Sequence, residues 1–195
     1  MSDTELTGRL LVATPLLVDP NFDRTVVLVL DHDTDGTLGV VINRPTTVPV
    51  HEVLPAWSEL AGPMPMVFQG GPVALDSALG LAELRALPRG EDPDPLGWRR
   101  VHGDLGLVDL DLPPELLAAE ISAFRVYAGY AGWSAGQLER ELGQGAWYVV
   151  DAAPADAFTL SPELAWRTVL RRQRGGLALL STFPDDPEQI VRAHV

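Results

Sequence analysis

The segment Gly132-Trp133-Ser134-Ala135-Gly136 has the G-x-S-x-G spacing in which a sharp strand-to-helix turn presents a serine as nucleophile. Such a serine needs a general base within hydrogen-bond reach and a third group to orient that base. The only histidine downstream is His194, beside the C-terminus. A helix start explains the same residues better: Ser134 caps the helix, Gln137 completes a capping box, and Ser134 Oγ is expected to accept from the N–H of residue 136 or 137. Asp31, Asp33, Asp35 and Gly36 copy the first half of a calcium-binding loop. Its twelfth position, however, holds Ile42 where a bidentate glutamate is required, so a solvated hairpin tip is expected. His32, His51, His102 and His194 lack metal-ligand spacing, and the chain has no cysteine, phosphate-binding loop or dinucleotide fingerprint. Neither a cofactor nor a metal is expected. Arg167, Arg171 and Arg174 share a helix face that reads as a solvated counterweight to an acidic protein.

Three further pieces have chemistry-bearing composition: Asn43-Arg44-Pro45, Gln69-Gly70-Gly71-Pro72, and the run from Tyr127 through Tyr130, Trp133 and Ser134 to Gln137. Paired glycines let a backbone approach a ligand closely, and successive N–H groups can form an anion nest. Arginine offers a planar fork to carboxylate or phosphate. Each piece ends a predicted strand, where loops gather. The expectation is one concave patch, with Arg44 partly exposed and the helix N-terminus at Ser134 aimed into it. Such a patch would hold a small anionic metabolite or a protein partner.

The elements that must position these residues are mostly strands. Arg9–Ala13 is a short apolar run. Residues 25–43 read as a long antiparallel hairpin with Asp35-Gly36 at the turn, its first strand, Arg24–Leu30, apolar enough to be covered on both faces. Pro45 is expected to end the second strand. A short helix over His51–Leu60, interrupted by Pro55, precedes a strand at Met66–Gln69; Ser77–Arg85 leans to strand and 87–97 is loop. Past a strand at Gly106–Leu110, Pro113-Pro114 opens a helix whose apolar face is Leu117, Ile121 and Phe124, with Phe124 alternatively beginning the next strand, Arg125–Tyr130. A helix over Ser134–Leu142 and a strand over Ala146–Val150 follow. The last helix starts at Ser161-Pro162, with Ser161 as cap and Trp166, Val169 and Leu170 buried. Hairpin-linked strands with scattered helices make an α+β protein.

The chain has 195 residues, 46% of them hydrophobic, which suits a single domain over 1–195 with frayed tails at 1–7 and 184–195. Twenty-seven acidic residues face fourteen bases, all arginine, for a net charge of −13. That field opposes phosphate backbones and anionic lipid, so neither direct nucleic-acid binding nor membrane association is expected. The acidic N-terminus lacks the features of a signal peptide, and the expected location is cytoplasmic.

Taken together, Gly8–Ala13, Asp19-Pro20-Asn21-Phe22 with Arg24, Gly39–Pro45, Gln69–Val73, Gly129–Trp133 and Gly136–Glu139 resemble, in order, the motifs of the YqgE/AlgH family. The resemblance runs from about Gly8 to Leu170. It implies a single α+β domain of bent, coiled, mostly antiparallel sheets with flanking helices in a bacterial, cytoplasmic protein. It also adds Arg24 to the candidate ligand-binding residues. Members are often labelled transcriptional regulators, without an established biochemical activity. The expected function is therefore a non-enzymatic binding or regulatory domain. The alternatives are a regulator acting through protein partners and a hydrolase using Ser134.

Overall fold

The computed structural model describes residues 5–185. The first half of the chain forms β1 (Leu10–Ala13), β2 (Val26–Asp33), β3 (Gly36–Val41), β4 (Pro45–Pro49), α1 (Val50–Val53), a 3-10 turn (Pro55–Ala61), β5 (Met66–Gln69) and β6 (Val73–Leu84). The second half adds β7 (Trp98–His102), β8 (Leu105–Val108), β9 (Ile121–Ser134), α2 (Gln137–Gly143), β10 (Trp147–Val150), α3 (Ala165–Arg171) and α4 (Gly176–Leu180). The strands form one curled sheet in the order β10-β1-β2-β3-β9-β6-β8-β7, with β5 lying parallel to β9 and β4 beyond it. The architecture is a single compact α+β domain, as the sequence leads one to expect. Among the described residues, no helix is long and apolar enough to cross a membrane.

The curl originates in β9. Its C-terminal end, Ala131–Ser134, pairs with β3, while Ile121–Tyr130 pairs with β6. Near the changeover Gly129 has φ +69, and the β6 register jumps between Val73 and Ala78. The strand bends where it changes partner, as a bulge and a left-handed glycine allow.

Packing explains the apolar runs. Leu10, Val12, Val26 and Leu28 enter one core with Tyr127, Phe68 and Trp166, while Leu11, Ala13, Val27 and Val29 enter another with Trp133, Trp147 and Leu138. Strands β1 and β2 are thus covered on both faces. The hairpin forms antiparallel, with Asp33 and Gly36 its last pair, so its turn is Thr34-Asp35, one residue earlier than expected. Asp33 Oδ1 accepts from the N–H of Asp35 (2.8 Å) and of Gly36 (3.2 Å) to close that turn.

The expected helix after Pro113 is one 3-10 turn, Pro114–Leu116; Ile121 and Phe124 belong to β9. Their three-residue spacing mimics a helix because Ser122 is an extra residue in the ladder, Ala123 pairing with Glu83 and Ile121 with Leu84. This bulge returns both side chains to one core with Trp57 and Leu117. Pro45 does not merely end a strand but begins β4, and β7 and α4 are further additions; the helix expected over His51–Leu60 is present as α1 and the 3-10 turn, parted at Pro55. Ser161 makes no side-chain cap; its N–H donates instead to Thr159 Oγ1 at 3.1 Å. Trp166, Val169 and Leu170 are buried as expected. Of the tails expected to fray, Leu6 is buried and Asp185 pairs with Arg24 and Arg167; residues 1–4 and 186–195 lie outside the described residues.

Candidate functional site

Six of the ten candidate residues meet where β3, β5 and β9 cross. The Val41 N–H donates to Gly70 O (2.8 Å), Gln69 N–H to Arg44 O (2.8 Å) and Gly70 N–H to Ala128 O (2.9 Å). A Cβ on Gly70 would lie 2.4 Å from Gly129 O, and one on Gly71 would lie 2.1 Å from the carbonyl of Tyr130. The glycines therefore bring backbones together rather than opening a nest. Asn43 bridges a β2 approach: its Oδ1 accepts from Val26 N–H and its Nδ2 donates to Arg24 O, both at 2.9 Å. Arg44, half-buried, donates to the carbonyls of Pro20 (2.9 Å), Asn21 (2.8 Å) and Asp23 (3.0 Å). Its fork closes the 20–23 loop.

Trp133, Ser134 and Gln137 sit at the other end of β3. Ser134 pairs with Gly36, about 16 Å along the strand from Val41 at 3.3 Å per residue. The expected cap is corrected in detail. Gly136, at φ +71, occupies the N-cap of α2, and Gln137 Oε1 accepts from both Ser134 N–H (3.0 Å) and Ser134 Oγ (3.3 Å). Gln137 Nε2 donates to Glu141 Oε1 (3.0 Å), while Glu141 Oε2 accepts from the indoles of Trp133 (2.9 Å) and Trp147 (2.8 Å). These bonds bolt α2 to the sheet. Among the described residues Ser134 Oγ has no histidine partner. His32 bonds Thr37 Oγ1 at 2.7 Å and faces Glu139, and His194 lies outside the described residues.

The Arg24 side chain engages neither group, although its backbone carbonyl accepts from Asn43 Nδ2. At φ +52 it lies over Trp166, 4.7 Å from the ring centroid, pairs with Asp185 at 3.2 Å and donates to Pro184 O. Its role here is to hold the 183–185 segment. Asp31, Asp33 and Asp35 rim an open hollow with Trp133, and among the described residues no three His, Asp or Glu side chains gather as a metal site requires.

A different arginine occupies a setting with room beside it. Arg125, on β9, is 4% exposed and lines a cavity of about 230 Å³. Leu60, in the 3-10 turn, and Pro63 and Met64, after it, form one wall; Phe124 forms another, and Phe158 with Leu160 a third. The guanidinium lies 4.2 Å over the Phe68 ring and donates to Ala157 O (3.1 Å) and Thr159 O (3.0 Å). Among the described residues it forms no ion pair, and its Nε makes no hydrogen bond. Burial pushes it below the ordinary arginine value, with Tyr127 acting in the opposite direction. Tyr127 is wholly buried, and its phenol, raised by that burial, donates to Ala157 O at 3.2 Å. A buried charge is normally paired, and among the described residues this one meets carbonyls, a thioether and a ring but no carboxylate.

A second cavity, of about 210 Å³, is acidic instead. Glu83, His102 and Asp104 face Leu10, Leu28 and Leu105, and burial first, then Asp104, holds the Glu83 carboxyl above its usual range.

Sequence reasoning passed over Arg125 as one base within an apolar strand. The available signal was parity: Arg125 shares its strand face with Tyr127, an aromatic that must be inside, so its charge must be inside too.

The model of the AlgH-like family, DUF179, matches residues 10–178. A UPF0301 protein of Streptomyces avermitilis is 62% identical over 186 residues, covering 94% of this chain and 95% of the relative. One from Thermobifida fusca is 50% identical over 196 residues, covering 96% of each. The crystal structure of DIP2367 from Corynebacterium diphtheriae superposes with TM-score 0.82 at 31% identity, covering 91% of this chain and 92% of that one. The solution structure of AlgH from Pseudomonas aeruginosa gives TM-score 0.68, also at 31% identity, with coverage of 95% and 98%.

Proposed function

The chain belongs to the AlgH-like family, and within it we propose the role of a non-enzymatic, regulatory binding domain that holds a small anion beside Arg125. One observation carries this reading: a guanidinium buried, among the described residues, without a carboxylate, against a cavity large enough for a ligand. An anion there would gain a charge-assisted hydrogen bond in a low-dielectric setting and would relieve the desolvated cation. The anion preference expected from the sequence is kept, but its cation becomes Arg125 in place of Arg44, whose fork already engages three carbonyls. Binding suits the cavity better than catalysis does. Apart from Arg125 its polar lining side chain is Ser122, whose hydroxyl donates to Glu83 O at 3.3 Å, with no base among the described lining residues.

The test is a thermal-shift screen of small organic and inorganic anions on wild type, Arg44→Ala and Arg125→Met, at constant ionic strength. A ligand at a hundredfold excess over Kd stabilises by about 2.7 kcal/mol, a rise of roughly 5–10 °C for a domain of this size. Wild type and Arg44→Ala should respond, and Arg125→Met should not. Silence from every anion, or an equal response from Arg125→Met, refutes the proposal.

A further inference from the structure

Resting on the anion site proposed above, we infer that its ligand is a monocarboxylate with an apolar body, and neither a phosphate nor a dicarboxylate. Three observations point the same way. The first is charge: the cavity holds one uncompensated cation, and the other lining residues carry none. One negative charge neutralises it, whereas a dianion would leave a second charge desolvated among leucine, phenylalanine and methionine.

The second observation is geometry. Three of the guanidinium's five N–H groups are engaged, by Ala157 O, Thr159 O and, at 4.0 Å, Met64 Sδ, and the Phe68 ring covers one of its faces. The two N–H groups left, one of them the Nε–H, match the two oxygens of one flat carboxylate, whereas a phosphate, also bidentate to arginine, would leave its further oxygens without donors among apolar side chains. The third is the lining. Leu60, Pro63, Met64, Phe124, Phe158 and Leu160 offer carbon surface opposite the charge. A volume of about 230 Å³ is equivalent to some eight waters at roughly 30 Å³ each, the size of an aromatic or medium-chain acid. Apolar walls with one convergent polar group are the usual composition of a small-molecule site.

Isothermal titration of the full chain at constant ionic strength tests this with sodium benzoate, sodium hexanoate, benzamide, sodium succinate and sodium phosphate. Benzoate and hexanoate should bind at least roughly tenfold more tightly than the other three. Arg125→Met should abolish that binding. Ala123→Leu, which keeps the guanidinium but fills the cavity that Ala123 also lines, should weaken it by a similar factor. This second variant keeps the test decisive if Arg125→Met does not fold. Tighter binding of phosphate or succinate, lost in the variants, overturns the monocarboxylate assignment while sparing the anion site. Benzamide matching benzoate overturns the charge requirement, and with it both readings. No binding by any probe, or binding unaffected by both variants, also overturns both.

Discussion

At the crossing of β3, β5 and β9, Arg44 gives its N–H groups to three carbonyls of one loop, and the glycines around it let backbones touch. At the start of β9, Arg125 is buried more deeply, has two carbonyls, the Met64 thioether and a ring for company, and borders a cavity. The first region is rich in sequence motif and has its polar groups satisfied; the second has no motif and leaves a charge uncompensated. Motif density in this chain follows backbone geometry, where few residue types fit. Binding capacity is better sought where the accounting of polar groups stays open.

The largest effect that can break this comparison is expected at Gly71. Gly71→Ala places a Cβ 2.1 Å from the Tyr130 carbonyl at φ +155, so it should destabilise the fold by about 4 kcal/mol or prevent folding. Urea denaturation measures this, and a loss under 1 kcal/mol would mean the crossing is not as tight as described. Next comes Arg44→Ala, which should lower stability by about 2 kcal/mol through its lost charge-assisted bonds, yet leave the response to anions intact. Arg125→Met should do the reverse. Removing a desolvated charge offsets the loss of two carbonyl partners, so stability should stay within about 1 kcal/mol of wild type while ligand stabilisation disappears.

The smallest effect belongs to the acidic cavity. Glu83 has a raised pKa in the fold, so the stability it contributes is present below its unfolded value and is lost as pH rises through the folded one. Glu83→Gln should therefore match wild type below about pH 4 and melt slightly higher at pH 7. Melting curves across that range decide it; a variant that melts lower at neutral pH would reverse the sign.

Much of the fold was legible because local pattern and burial agree in its strands. The β2–β3 hairpin, β5, β10 and the buried face of α3 follow directly from β-branched runs, turn residues and helical spacing. Where the reading failed, a ladder irregularity was responsible: the bulge at Ser122 gives Ile121 and Phe124 a helical spacing within a strand. The site was less legible. Asn43, Arg44, Gln69, Gly70, Gly71 and Tyr130 do lie close together, because sheet pairing converts sequence-distant strand ends into neighbours. Ser134 and Gln137 lie a strand's length away, since β9 continues past the crossing, and no local signal announces where a strand will exchange partners. Arg125 escaped notice because a buried charge differs from an exposed one only through its surroundings.

The central claim, that Arg125 is an open anion-binding cation, is met most directly by following the arginine Nε–H resonances of the full chain as sodium benzoate is added. Of the fourteen arginines, the account predicts a large, saturable shift for Arg125 alone, with Arg44 and Arg24 unmoved. A saturable shift at Arg44 or Arg24 with Arg125 silent, or no saturable shift at all, would contradict it.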